Sequence, residues 1–463
     1  MPQVLSRSSD ASPFATWMLG LTTVSIMLLA SMPFGNYANY LITAGFLGVV
    51  AMAATLGGRD IWFSKEWLLL LGWLAYSILP SLLAEDLERA MFKVLTMVQI
   101  AILVFAIQQT VVWQRKVPWL LLTFGVSVSM AYLLTFTGFN IGDVTGSAQN
   151  GDDVVRVAST LADANAFGAA TVMGLALCFI CGAFSTGKLL KILAWIVGMV
   201  LVVALVNSGS RTAVIGLVIL LLGASWAFKI WRGEYFVKLV VGLLFIGVVG
   251  GAVFYAVKDM PVVQQRIEAL VTGNDSIVVR MTDFIAVVAS GLDTKAESSG
   301  ESIDERLALL TAGVDLLIES HLLGVGHDNF AARVGVFAHS NVMEISVNTG
   351  VIGFLMYYGI YLMIAWRAWQ LMMQSNGHAV PRTIFVALMA YSVMDITHVS
   401  YYAKASWLFL AMITACLEVF ARDLARHREG KLIARQRQAK KAQAQEVDVE
   451  LGDEPVVLSP VRY

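Results

Sequence analysis

The chain is expected to be an all-α protein that crosses a membrane many times, and three observations predict this. It has 463 residues, of which 58% are hydrophobic and only 14% charged. A soluble globular domain carries about 25% charged residues. Its mean hydropathy is +0.72. Its apolar residues gather in runs of about 20, the length that spans a bilayer core as a helix. The formal net charge of -1 is uninformative about partners; the placement of charge says more.

About twelve such runs are present. They lie near 14–32, 37–56, 66–84, 92–112, 118–137, 166–185, 190–207, 212–229, 238–256, 346–366, 383–401 and 405–421. No small-residue cleavage site follows the first run, so it reads as an anchor that stays rather than a signal peptide. Sidedness follows from the basic residues, which favour the cytoplasmic side. With the N-terminus inside, the short inner segments carry Arg7, Arg59, Lys65, Arg115, Lys116, Lys188, Lys191, Lys229, Arg232, Lys238, Arg367 and Arg382. The short outer segments carry only Arg89, Lys93 and Lys404. Both termini are therefore expected in the cytoplasm.

The expected organisation is an N-terminal bundle over 1–256, an outer loop over 257–341, C-terminal membrane helices over 342–421 and a cytoplasmic tail over 422–463. The outer loop has helical spacing of apolar residues around Val263, Ile267 and Leu270, and again around Val279 to Val287, which predicts short amphipathic helices. A further helix is predicted from Glu305 to about Ser320, ended by a turn at Gly324 and Gly326. The tail begins with the basic RDLARHREGKLIARQRQAKKAQAQ, expected as a solvated helix near anionic headgroups. It turns acidic at VDVELGDE, and its last residues have the composition of a disordered segment.

Cys178 and Cys181 form a C-x-x-C pair, a metal or redox spacing in a soluble protein. Together with Cys416 they fall in apolar runs, where cysteine behaves as a small hydrophobe. Histidines at metal-binding helical spacing, an outer D-x-D and a glycine-rich loop before a lysine are all missing from the sequence. No metal, no cofactor and no nucleotide are expected.

Polar residues at the outer edges of the spans are the candidates for chemistry. Arg211 follows a Ser208-Gly209-Ser210 turn. An arginine at a span edge often snorkels to headgroups, yet guanidinium and turn amides, with Ser210 beside them, also suit a phosphate. Arg306 opens the predicted outer helix; it either pairs with Asp304 or Glu305 or supplies a second cation for a diphosphate. His339 precedes a returning span and is either an interfacial hydrogen-bonding residue or a base near neutral pH. Asn341 and Glu344 are placed to orient that ring or to bind a sugar hydroxyl. His327 is a rival for the base. Arg156 is a possible third cation, and Asp163 and Asn165 suit the start of the helix that follows. Asp395 and His398, one turn apart, admit a proton relay, a structural role or contact with an acceptor.

Four stretches together resemble the O-antigen ligase and polymerase superfamily of bacterial envelopes. They are RVASTLADANAFGAA, NSGSRTAVIGLVI, ERLALLTAGVDLLIESHLLGVGHDNF and HSNVMEISVNTGVIGF, in that order and spacing, with the long outer loop between them. The resemblance covers about Arg156 to Gly359. It implies a GT-C-like fold with a long periplasmic loop containing short helices, in the bacterial inner membrane. It implies a metal-independent glycosyltransferase that moves a glycan from an undecaprenyl-pyrophosphate carrier to lipid A-core, to another glycan or to protein. Membrane lipids are the remaining partners, and no nucleic acid is involved. The resemblance makes Arg211, Arg306 and His339 catalytic, with Arg156, Ser210, Asn341 and Glu344 expected to contact substrate. One departure is Ser340, where the family commonly has asparagine directly after the histidine; here asparagine comes one later. A polytopic transporter or a non-catalytic assembly partner for envelope polysaccharide is the competing expectation. Against a transporter stand the lack of an internal repeat and the few charges within the spans.

Overall fold

A computed structural model describes residues 61–114, 116–134, 164–208, 210–228, 300–338 and 340–452, with positions 20, 22–24, 26 and 45. The span expected at 238–256, most of those at 14–32 and 37–56, the amphipathic helices at 263–287 and the chain end after 452 lie outside the described residues.

The described residues form helices and connections, with no strand among them. In chain order these are α1 (Lys65–Leu82), α2 (Leu87–Gln114), α3 (Val117–Leu134), α4 (Ala164–Phe184), α5 (Lys188–Ser208), α6 (Arg211–Ala227), α7 (Gly300–Glu319), α8 (Asn329–Val334), α9 (Asn341–Gln374), α10 (Ala379–Thr397) and α11 (Lys404–Gly452). Among the described residues, six stretches are long and apolar enough to cross a membrane: Leu87–Trp113, Val117–Leu134, Asn165–Phe184, Lys188–Ser208, Asn341–Gln374 and Ala379–Ile396. Thr212–Ala227 is a shorter apolar helix. The runs near 66–84 and 405–421 are helical too, as α1 and the first part of α11. The basic tail continues α11 without interruption to Gly452.

Three serines start three of these helices in the same way. The Oγ atoms of Ser64, Ser210 and Ser340 accept the N–H groups of Trp67, Ala213 and Met343 at 3.0, 3.4 and 3.5 Å. Each satisfies a donor that the first helical turn would otherwise leave unpaired.

Every residue from Trp407 to Leu417 is buried, so this part of α11 is the centre of the bundle. It packs on α2 and touches α4. Around it, α9 packs on α1 and α10, and α10 on α6 and α4. By contrast α5 exposes Leu189, Ile192, Trp195, Ile196 and Val206, an apolar face suited to lipid. Cys178, Cys181 and Cys416 are buried free thiols within helices, packed in the core.

α9 is broken. Gly350 has φ 69° and ψ -177° in its middle. The break lets the connection after α7 pair with it: Val325 N–H donates to Val347 O and Gly326 N–H to Asn348 O, both at 2.9 Å, and Val351 N–H donates to Leu322 O at 3.1 Å. Carbonyls freed by the break thus gain partners inside the protein, the condition for a broken helix at membrane depth. The approach is close. A Cβ at Gly350 would collide with the Leu322 carbonyl, and one at Gly324 would stand 2.5 Å from Gly350 N.

Candidate functional site

The ends of the bundle differ in what they hold. One end gathers the α1–α2 turn, the start of α6, the segment 320–349 and the α10–α11 connection. At the opposite end, Arg367 of α9 meets Glu66 of α1 at 3.7 Å and pairs with Glu418 of α11, which also takes Arg422 at 2.5 Å.

At the first end, Gly326 to Phe330 forms a turn stapled to its surroundings. Asp328 sits at φ 62°, in the left-handed region that aspartate tolerates better than most residues. Its carboxylate accepts Arg89 Nε at 2.7 Å and lies 3.9 Å from Lys93 Nζ. Asn329 Oδ1 accepts the N–H of Asp86 at 3.1 Å, and its Nδ2 donates to His327 O at 3.1 Å. The His327 N–H donates to Ser81 Oγ at 3.3 Å. Phe330 N–H donates to Asn348 Oδ1 of α9 at 3.0 Å.

The His327 ring is fully buried, stacked on Tyr401 and edge-on to Trp73. Neither of its nitrogens has a hydrogen-bond partner among the described residues. Burial, and then the positive charge of Lys93, push its pKa down to about 3. A neutral, enclosed imidazole of that kind is a weak base at neutral pH.

Around the start of α9 the hydrogen bonds are dense. Asn341 Oδ1 accepts both Ser400 N–H and Tyr401 N–H at 3.0 Å. Its Nδ2 donates to Asp395 Oδ2 at 3.0 Å and to Tyr357 Oη at 3.2 Å. All four hydrogen-bonding positions of the amide are in use. Asp395 also accepts Tyr358 Oη at 2.9 Å and the Ser400 hydroxyl. Glu344 Oε2 accepts the N–H of Ala338 at 3.0 Å, and its Oε1 accepts Asn348 Nδ2 at 3.1 Å. Asn341, Glu344, Asn348 and Asp395 are all buried.

Of the residues singled out by sequence, Arg211 is the first of α6 and Arg306 stands in the first half of α7. Ser210 is buried as the α6 cap, where a Cβ added to Gly168 of α4 would lie 2.8 Å from its Cβ. Asn341 and Glu344 meet at the start of α9 with Asp395. Arg156 and His339 lie outside the described residues, while Ala338 and Ser340 on either side of His339 are within them. Sequence reading missed Asp86, Arg89, Asn348 and the Tyr357–Tyr358 pair. A signal was present for the last: hydroxyls and an amide inside an apolar run seek partners within the protein.

The fold and this end of the bundle define a class: a multi-pass helical membrane protein with its polar machinery gathered at one end, around a broken helix. Within it, residues 196–358 match the family model described as O-antigen ligase. The match runs from α5 to the middle of α9 and contains Arg211, Arg306 and His339. Over this part of the chain the match supports the O-antigen ligase and polymerase superfamily that the resemblance implied. The first of the four resembling stretches, Arg156–Ala170, precedes the match. No curated protein matches the chain.

Proposed function

We propose that the protein is a metal-independent, inverting glycosyltransferase of the O-antigen ligase or polymerase type. It takes a glycan from an undecaprenyl-pyrophosphate carrier and passes it to lipid A-core, a growing polysaccharide or protein. The observation that carries the reading is the family match across Arg211, Arg306 and His339. The chain then lies in the bacterial inner membrane with about twelve spans in a GT-C-like arrangement. Both termini are cytoplasmic and the 257–341 loop is periplasmic.

In this reading Arg211 and Arg306, with Arg156 as a third cation, bind the pyrophosphate and stabilise the charge that builds on it as the C1–oxygen bond breaks. His339 accepts the proton of the attacking acceptor hydroxyl. One displacement inverts the anomeric carbon, and the lipid pyrophosphate leaves with the bonding pair. Ser210 caps the helix that Arg211 opens and so sets that arginine's backbone.

The test is transfer by purified protein with an undecaprenyl-pyrophosphate glycan and candidate acceptors, in EDTA and without nucleotide. Wild type is expected to form product; Arg211→Ala, Arg306→Ala and His339→Ala are expected to lose at least ~100-fold in rate, the scale of general-base and charge-stabilising groups. Full activity in either arginine variant would sink the leaving-group assignment. Gradient-dependent flux without transfer would favour a transporter.

A further inference from the structure

From Ala308 onward α7 divides lengthwise into three faces. One packs inward. Leu309 is buried with Val325, Phe330 and Val347, and Leu316 and Leu317 lie against that cluster. A Cβ added to Gly313 would stand 2.5 Å from Met343 Sδ of α9. The second face is polar and exposed, with Thr311, Asp315 and Glu319; Arg333 Nη1 of α8 donates to Glu319 Oε1 at 3.0 Å. The third is apolar and exposed: Leu310, Val314 and Ile318. Their four-residue spacing stacks them along one side of the helix. Leu322 and Leu323, in the turn that follows, are exposed as well. A contiguous exposed apolar strip marks a contact with protein or membrane.

The strip leads onto a surface that faces lipid. Leu322 O accepts the N–H of Val351 at 3.1 Å. Val351 is itself exposed, as are Ile352, Leu355 and Leu362 further along α9, a helix long and apolar enough to cross a membrane. α7 descends beside α9: Gly313 lies against Met343 near its start, and Leu322 against Val351 beyond its break. Depth follows from helix length. Gly350 to Arg367 is about 26 Å at 1.5 Å per residue, and the hydrocarbon core is about 30 Å thick. The ions around Arg367 belong at or beyond one edge of that core. The break, and Leu322 with it, then falls just inside the opposite edge, and a tilt of α9 would set it deeper.

The backbone of the tip agrees with this placement. His321 and Leu322 hold φ 52° and 65°, a region that residues other than glycine seldom adopt. The chain is bent at this cost with both leucines left on the outside, where acyl chains solvate them and water does not. The exposed His321 ring beside them has an apolar body and a polar tip, which suits the headgroup boundary.

We propose that α7 and its tip form a re-entrant element. The chain enters the leaflet at the Asn341 end along α7 and turns at Leu322 and Leu323 among the acyl chains of the bilayer lipids. It returns through Gly324 and Gly326 to the Asp328 turn, which meets Asp86 and Arg89 at the α1–α2 turn. The lipid contact sets the depth of the tip, and the tip is bonded in turn to Val347 and Asn348 of α9. This adds a membrane contact to a loop otherwise read as periplasmic. It needs only that α9 spans the bilayer, not that the protein transfers a glycan.

The test reads depth along the helix. Single substitutions carry a nitroxide on the strip (Leu310→Cys, Val314→Cys, Ile318→Cys, Leu322→Cys) or on the polar face (Thr311→Cys, Asp315→Cys). The full chain is held in phosphatidylcholine nanodiscs without glycan donor or acceptor. The three native cysteines are buried within helices, which favours labelling of the new one. All six positions are exposed, so no packed side chain is replaced, and a variant that fails to fold leaves the others to be read. Power saturation compares oxygen, which concentrates among acyl chains, with a nickel chelate confined to water. Oxygen is expected to prevail at the four strip positions, increasingly from 310 to 322, and nickel at 311 and 315. Nickel prevailing along the strip overturns the proposal, because the face then lies in water. Neither reagent reaching the strip overturns it too, because another part of the chain then covers the face. Oxygen prevailing at 310 but not at 322 overturns the descent. Failure of the wild type to transfer a glycan would sink the proposed function and leave these readings untouched.

Discussion

The two ends of the bundle hold their polar side chains by different means. At the Arg367 end the contacts are between ions: Arg367, Glu66, Glu418 and Arg422, with Trp62 beneath the Arg367 guanidinium at 5.6 Å. At the Asn341 end, beside the Asp328–Arg89 ion pair, they are mostly directional bonds among amides, phenols, backbone groups and the enclosed carboxylates of Glu344 and Asp395. Charge pairs tolerate sliding, whereas an amide with four partners accepts one orientation. The ionic end tethers three helices. The amide end joins the start of α9 to the end of α10 and the α10–α11 connection. The difference teaches where the protein needs accuracy rather than attachment.

The break in α9 makes the amide end possible, so it offers the largest way to disturb the comparison. Gly350→Ala would drive a methyl into the Leu322 carbonyl at φ 69°. Left-handed strain and a backbone clash together are expected to cost about 3–5 kcal/mol. Thermal unfolding in detergent should show a marked loss, with cleavage by protease appearing first between α7 and α9. A variant as stable as wild type would mean that the break does not anchor the loop.

A paired substitution sharpens the contrast. Arg367→Met leaves Glu66 and Glu418, both largely enclosed, without that cation. Removing one member of a buried ionic set is expected to cost about 2–3 kcal/mol, with kcat for glycan transfer unchanged. Arg89→Met removes the partner of Asp328, but Arg89 is 39% exposed and Lys93 stays nearby. Water screening lowers the expected cost to about 1–2 kcal/mol. Because the Asp328 turn packs on the first half of α9, Arg89→Met should also slow transfer a few-fold. Equal effects on kcat from the two variants would erase the distinction between tether and placement.

The helical class and, among the described residues, the helix positions were readable because a bilayer demands long apolar runs, and these dominate composition. The turn at Gly324 and Gly326 was readable from its glycines. What was hidden is pairing at long sequence separation. Asn329 finds Asp86, 243 residues away, and Asn341 finds Ser400, 59 residues away. Nothing local marks such partners, so the bonds that Asn341 and Glu344 make within the protein could not be read from the sequence. Gly350 was invisible for a related reason: a glycine in an apolar run has many uses, and only the approach of Leu322 makes this one obligatory. Asp395 could be singled out as a charge inside a span, but its partners could not.

His327 gives the smallest and most conditional effect, one confined to acid. Its ring is enclosed between Trp73 and Tyr401, and its pKa stands at about 3 against an ordinary 6.5. The folded protein therefore binds fewer protons at this site than the unfolded chain as pH falls below 6.5. Where the unfolded state binds more protons, stability falls with falling pH. The contribution of neutral His327 is thus intact above about pH 6.5 and is lost progressively from there down to about 3. His327→Phe keeps an aromatic ring against Tyr401 and Trp73 and cannot titrate. At about pH 7 its melting temperature is expected within a few degrees of wild type, since a ring without hydrogen-bond partners is replaced by one that needs none. At about pH 4.5 the wild type should have dropped further than the variant. Parallel curves between about pH 7 and pH 4 would show that protons reach His327 in the folded protein as easily as in the unfolded chain, and that this end of the bundle is not closed to water.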